Sequence, residues 1–72
     1  MFDKKLFGKR IMALRKNKGL TQSELADMLG VQKTQISEIE NGNRTTTIEK
    51  LCILADYFNV SIDYLVGRTY KK

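Results

Sequence analysis

The residues best suited to chemistry lie in one short polar run, residues 32 to 41. Side chains of these types can pair with the edges of bases. A lysine can donate to guanine O6 and N7, a threonine methyl can touch a thymine methyl, and a glutamate can accept from cytosine N4. Five residues are therefore candidates for base contacts: Gln32, Lys33, Thr34, Ser37 and Glu38.

The residue types that enzymes use form no catalytic pattern in this sequence. The chain has no histidine, which removes the commonest general base and a zinc site of the usual cysteine–histidine kind. We find no phosphate-binding glycine loop, no paired carboxylates suited to a cleft and no nucleophile beside a base. The single cysteine, Cys52, cannot form an internal disulfide, and its place in an apolar run predicts a thiol in the core. We expect a binding protein without a metal or cofactor, not an enzyme.

Positive charge is concentrated in the first quarter of the chain. The formal net charge is +5 and the isoelectric point is near 9.6. Residues 1–18 hold seven lysines and arginines against one aspartate, a net charge of +6, whereas residues 19–42 carry a net charge of −3. This distribution favours an acidic polymer such as nucleic acid over an anionic membrane surface, although a solvated lysine face would show the same charge. With no leader-like or membrane-spanning run, a cytoplasmic protein is expected.

The apolar residues, 42% of the 72, suffice for one small core, and their spacing predicts short helices. Phe7, Ile11 and Leu14 form the stripe of a first helix from Leu6 to Lys18. The capping-box sequence Thr21-Gln22-Ser23-Glu24 predicts that a second helix, Gln22 to Leu29, begins there and ends at Gly30.

A third helix, Gln32 to Glu40, follows after a short turn, with Ile36 and Ile39 facing inward. A rotation of about 100° per residue then places Thr34, Ser37, Glu38 and Asn41 on its outer side, with Gln32 and Lys33 at its exposed first turn. So short a connection makes the second and third helices cross steeply, as in a helix-turn-helix.

Two more helices are predicted after this unit. Ile48, Leu51, Leu54, Ala55 and Phe58 form a fourth periodic run, for which either Thr46 or Thr47 is the N-cap. Ser61 can cap a fifth helix that carries Ile62 and Leu65.

The stretch from Gly8 to Gly67 resembles the lambda-repressor-like, Xre/Cro-type helix-turn-helix family. The matching pieces are GKRIMALRKNKGLTQSELADMLGV, QISEIENG and IEKLCILADYFNVSIDYLVG. The resemblance implies a compact, all-α, five-helix domain over residues 1–72, with the helix-turn-helix at 21–41 and a polar tail at 68–72. The chain departs from the family at Thr46, where proline is frequent, and at Gln32, where serine or threonine is favoured.

The same resemblance implies roles for residues outside the third helix. Gln22, Asn41, Asn43 and Arg44 are expected to hold DNA phosphates. Arg15 and Glu40 each lie roughly 70° from the inward direction of their helices, and the family suggests that they form an ion pair joining the first helix to the third.

The family also implies a function: a regulator, expected to be a repressor, that binds double-stranded DNA as a homodimer on a palindromic operator. Its dimer surface is expected among Tyr64, Leu65, Val66 and Tyr70, for which ordinary packing at the end of the core is the alternative. No small-molecule ligand is evident. The competing interpretation is a protein-interaction module of the same fold, an antitoxin or a transcription adaptor, although the polar third helix argues against it.

Overall fold

The computed structural model describes residues 2–72 and confirms the predicted all-α fold. Within those residues five helices follow one another: α1 (Lys4–Asn17), α2 (Gln22–Leu29), α3 (Lys33–Glu40), α4 (Ile48–Phe58) and α5 (Ile62–Leu65). Helix α1 begins two residues earlier than expected because the Asp3 carboxylate accepts from the backbone amides of Lys5 and Leu6, both at 3.1 Å. In the same part of the chain, no helix has the length and apolar character needed to cross a membrane.

Side-chain caps define where the later helices begin. The capping box of α2 is complete: Thr21 Oγ1 accepts from the Glu24 amide at 3.0 Å, and Glu24 Oε1 accepts from the Thr21 amide at 2.8 Å. Thr47, rather than Thr46, caps α4, and Ser61 caps α5 as predicted. Gln32 precedes α3 without a side-chain cap bond.

One hydrophobic core joins the five helices. The predicted inward residues of the first and third helices are buried or packed against this core. The buried apolar side chains are Phe7, Ile11, Leu25, Ala26, Leu29, Ile36, Ile39, Leu51, Leu54, Ala55, Phe58 and Leu65. Because α3 contributes only Ile36 and Ile39 to this set, its remaining polar side chains are left for other contacts.

Two residues of α4 do not lie where the sequence predicted. Cys52, expected in the core, is exposed, and Ile48, counted in the apolar run, is 75% exposed. Leu51, Leu54 and the other buried residues of α4 set its inward direction, from which Cys52 is rotated by about 110°. Ile48 is the first residue of the helix, a turn beyond the buried contacts. A position within an apolar run was therefore not enough to predict that either side chain is buried.

A close approach between α1 and α3 depends on Gly8. A Cβ atom at this position would lie 2.1 Å from the backbone oxygen of Ile39 and 3.0 Å from that of Glu40. No side chain fits at that distance, so the absence of one at Gly8 lets the two helix backbones touch. The contact holds the C-terminal end of α3 against the middle of α1.

The C-terminal segment, residues 68–72, is polar as expected but is held against α1. Arg10 Nη1 donates to the backbone oxygens of Tyr64 and Thr69, the latter at 2.9 Å, and the guanidinium lies 4.0 Å from the centre of the Tyr64 ring. The Ser61 amide donates to the backbone oxygen of Lys72 at 2.6 Å. These contacts hold residues 68–72 against the helices.

Candidate nucleic-acid interface

The polar face of α3 is open to solvent. Lys33 and Thr34 are exposed and Ser37 and Glu38 are partly exposed, whereas Ile36 and Ile39 on the opposite side are buried. Gln32, just before the helix, is also exposed. Four of the five candidate base-contacting residues therefore lie on the solvent-facing part of α3, and the fifth, Gln32, lies at its N-cap.

The turn between α2 and α3 fixes how this face is presented. Gly30 adopts the left-handed conformation at φ +70°, which other residues adopt only with strain. The Val31 amide then donates to the backbone oxygen of Ala26 at 3.0 Å. Ala26 itself is buried, and its small side chain allows the close crossing of the two helices. This is the helix-turn-helix geometry predicted for residues 21–41.

A buried ion pair connects α1 to the end of α3. Arg15 Nε donates to Glu40 Oε2 at 2.6 Å, and Arg15 Nη2 donates to Glu40 Oε1 at 3.1 Å. The side chains are only 10% and 1% exposed. The hydrogen bond to Glu40 raises the pKa of the Arg15 guanidinium above its ordinary value, and the carboxylate charge adds to this against the opposing effect of burial. The structure thus brings these two predicted partners together.

Gln22, expected at a DNA phosphate, also contacts this pair. Its Nε2 donates to Glu40 Oε1 at 3.0 Å, and the side chain is partly buried. A glutamine amide nitrogen carries two hydrogens, so one remains for an outside acceptor. The link between Gln22 and Glu40 was missed from the sequence because nothing in local spacing relates residues of two different helices.

The loop after α3 folds back onto the helix end. Gly42, at φ +79°, lets the Asn43 amide donate to the backbone oxygen of Glu38 at 2.9 Å. Asn41, Asn43 and Arg44 are all exposed there, so the three loop residues expected at phosphates lie together beside α3. Arg44 Nη1 also donates to Glu38 Oε1 at 2.9 Å, a pairing that sequence reasoning did not foresee.

The first turn of α1 lies beside this loop. A Cβ atom at Gly42 would lie 2.9 Å from Lys5 Cγ and 3.2 Å from Lys5 Cα. Lys5 belongs to the basic first segment and was not among the predicted site residues. It is one of the seven basic residues that concentrate positive charge in residues 1–18, and the fold places it near the loop after α3.

Comparison with known proteins places this chain among helix-turn-helix proteins. The HTH_3 helix-turn-helix family model matches residues 11–65. The chain is 40% identical over 63 residues to the uncharacterised HTH-type transcriptional regulator YazB of Bacillus subtilis, covering 88% of this chain and 91% of YazB. It is 39% identical over 62 residues to the antitoxin PezA of Streptococcus pneumoniae, covering 86% of this chain but 39% of PezA. The chain spans less than two thirds of the length of several curated relatives that it matches.

A solved structure shows the same fold with DNA bound. The P22 c2 repressor protein, crystallised in complex with a synthetic operator, superposes with a TM-score of 0.81 at 34% identity, covering 89% of this chain and 97% of the repressor chain. The family model spans more than half of the present chain, and the five helices match those of a lambda-repressor-like domain. The chain is therefore a member of the Xre-like helix-turn-helix family.

Proposed function

We propose that this chain binds double-stranded DNA with α3 in the major groove and represses transcription as a homodimer on a palindromic operator. The observation that carries the proposal is the solvent-facing polar side of α3, where Thr34 is exposed and Ser37 and Glu38 are partly exposed. The opposite face is anchored by Ile36 and Ile39 in the core. A helix fixed on one side and free on the other is the arrangement that a recognition helix requires.

Base contacts are assigned to the exposed side chains of this helix. Lys33 donates to guanine O6 or N7, Thr34 contacts a thymine methyl, and Glu38 accepts from cytosine N4. Gln32 and Ser37 complete the set by donating to or accepting from neighbouring base edges. The glutamate assignment is tested by substituting Glu38 with alanine: base preference should relax at one position, and an equal loss on every operator variant would contradict direct contact.

Phosphate contacts are assigned to residues on both sides of α3. Asn41, Asn43 and Arg44 lie on the exposed loop after it, and Gln22 lies at the first turn of α2 with one amide hydrogen left free by Glu40. The backbone amides at the start of α2 add attraction for an anion. Such contacts position the protein on the duplex.

The homodimer supplies a second set of base contacts, which specific binding needs because a single recognition helix contacts only a few base pairs. Of the four residues expected at the dimer surface, Leu65 is fully buried in its own core and is unavailable. Tyr64 and Val66 are partly exposed, and Tyr70 is 92% exposed. We assign the dimer contact to these three. The repressor role is supported by the likeness to the P22 c2 repressor.

Selection of bound duplexes from a random pool, followed by a salt titration, tests this function. We expect enrichment of a palindromic sequence with half-sites roughly 34–36 Å apart, one helical turn. Affinity should fall steeply with salt because phosphate contacts release counterions. The selected duplex, placed across a promoter, should then lower transcription in vitro when the protein is added. Absence of enrichment would contradict sequence-specific binding.

A second candidate function is a protein-interaction module, an antitoxin or adaptor. It is favoured by the 39% identity to the antitoxin PezA and by apolar side chains exposed on α4, Ile48 and Ile53. This function predicts a partner protein bound through α4 and no enriched duplex. The selection experiment therefore separates the two functions.

A further inference from the structure

The outer face of α3 carries one acidic side chain, Glu38, and the structure pairs it with Arg44. The two groups are 2.9 Å apart. The backbone brings them together, because the Asn43 amide donates to the backbone oxygen of Glu38 and so folds the loop over the helix end. Position 44 is thereby held beside position 38 before any ligand binds.

This ion pair is easily opened. The side chains of Glu38 and Arg44 are 46% and 50% exposed, so water screens both charges and the pair adds little to stability. The buried pair of Arg15 and Glu40 is different, since its side chains are 10% and 1% exposed and separation would leave charges without water. Of the two pairs at α3, the exposed one is free to exchange partners.

A duplex offers each member of the pair a different partner. Phosphates attract Arg44 and repel the Glu38 carboxylate. In the major groove, guanine N7 and O6, adenine N7 and thymine O4 are acceptors, and only the amino groups of cytosine and adenine donate. In the groove the duplex displaces the water that solvates an exposed carboxylate. A Glu38 carboxylate released from Arg44 there is left without a partner on any duplex that lacks an amino group at that place, and a desolvated charge without a partner is costly.

We propose that the Glu38–Arg44 ion pair is a specificity element of the DNA-binding surface. On a duplex without a suitable amino group the pair stays closed, and Arg44 makes no phosphate contact. On the operator the pair opens, so that Glu38 accepts from the base and Arg44 binds a phosphate. This inference rests on the proposed function, and it adds that one residue pair couples base recognition to phosphate contact.

The salt dependence of binding to a random-sequence duplex tests the proposal. Each phosphate contact changes the slope of log affinity against log salt by about 0.9. Glu38→Gln removes the charge that holds Arg44, so its slope should be steeper than wild type by about 0.9 per bound chain. Between 50 and 200 mM salt, affinity should fall about 3.5-fold more than for the wild type. Arg44→Gln should leave the slope on this duplex unchanged.

The same measurement is repeated on the duplex most enriched in the selection from a random pool. There the pair is open in the wild type, so Arg44→Gln should make the slope shallower by about 0.9. Asp63→Asn is the matched control, because it removes the carboxylate of another exposed ion pair, Arg68–Asp63, whose side chains are 72% and 66% exposed. It changes the net charge as Glu38→Gln does, but on α5, and should keep the wild-type slope on both duplexes.

Three outcomes would contradict the proposal that Glu38 keeps Arg44 from phosphates, while leaving DNA binding itself intact. The first is a Glu38→Gln slope equal to wild type on random DNA. The second is a shallower slope for Arg44→Gln on the same duplex, which would mean that Arg44 binds phosphate with the pair closed. The third is an equal steepening by Asp63→Asn, which would make the effect one of net charge. Failure of the wild type to bind any duplex would instead refute the proposed function, and this inference with it.

Discussion

Replacing Glu40 by alanine tests whether the buried ion pair holds α3 on the body of the domain. The change removes both hydrogen bonds from the Arg15 guanidinium to the carboxylate. The remaining partner of Arg15 is the backbone oxygen of Leu20, at 2.7 Å from Nη1. The Gln22 amide loses its acceptor as well. The variant therefore leaves a nearly buried cation with one neutral partner where it had three hydrogen bonds.

The expected cost follows from this loss. Breaking a buried pair by removing one partner costs about 3–5 kcal/mol. Because Arg15 keeps one carbonyl partner and slight exposure, we expect the lower end, about 3 kcal/mol. Glu38→Ala opens only an exposed pair and should cost about 0–1 kcal/mol. Since 1 kcal/mol shifts the Tm of a domain this small by about 4–8 °C, Glu40→Ala should lower Tm by ~12 °C or more and Glu38→Ala by less than ~8 °C.

Thermal denaturation followed by far-UV circular dichroism measures the two shifts under the same conditions. Both variants remove one negative charge from α3, so Glu38→Ala is the matched control for net charge and helix propensity. The double variant Arg15→Ala/Glu40→Ala should be less destabilised than the sum of the single variants by at least about 1 kcal/mol. Equal shifts for the two glutamates, a reversed order, or additive costs in the double variant would show that the buried ion pair does not hold α3 on the domain.

Three further changes test the fold around the site. Thr47→Ala should lower the free energy of unfolding in urea by about 1 kcal/mol because it removes the cap of α4. Thr46→Ala should lower it by less, because the buried Thr46 hydroxyl has no partner. A larger loss for Thr46→Ala would show that Thr46, not Thr47, is the cap. Gly8→Ala should destabilise by about 1–3 kcal/mol despite the better helix propensity of alanine; a stabilised variant would show that the helices can move apart. Arg10→Ala should release residues 68–72 and speed their cleavage in limited proteolysis, and an unchanged cleavage rate would contradict this.

Local signals in the sequence predicted most of the helical architecture. The capping box at Thr21 and the glycine at position 30 bracketed α2 correctly, because both act through backbone groups within four residues of themselves. The choice between Thr46 and Thr47 needed the structure, since either hydroxyl precedes the same apolar run. Cys52 was misplaced because its assignment rested on the composition of the run, not on its rotation about the helix axis.

Contacts between elements account for what the sequence did not predict. Gly8 appears as an unremarkable helix residue until the backbone of α3 is placed against it. The bonds from Gln22 to Glu40 and from Arg10 to Thr69 likewise join residues that are distant along the chain. Side-chain periodicity gives the direction in which a residue points, but it does not give the partner that another helix places there.

The two sides of α3 have separate tasks under the proposed function: one side holds the helix in the fold, and the other contacts DNA. Ile36, Ile39 and Glu40 face the body of the domain, where burial and the ion pair with α1 hold the helix. Thr34 and Glu38 face outward and contribute little to that packing. Under the proposed function, we therefore expect substitutions on the outer face to alter what the helix binds without moving the helix on the domain.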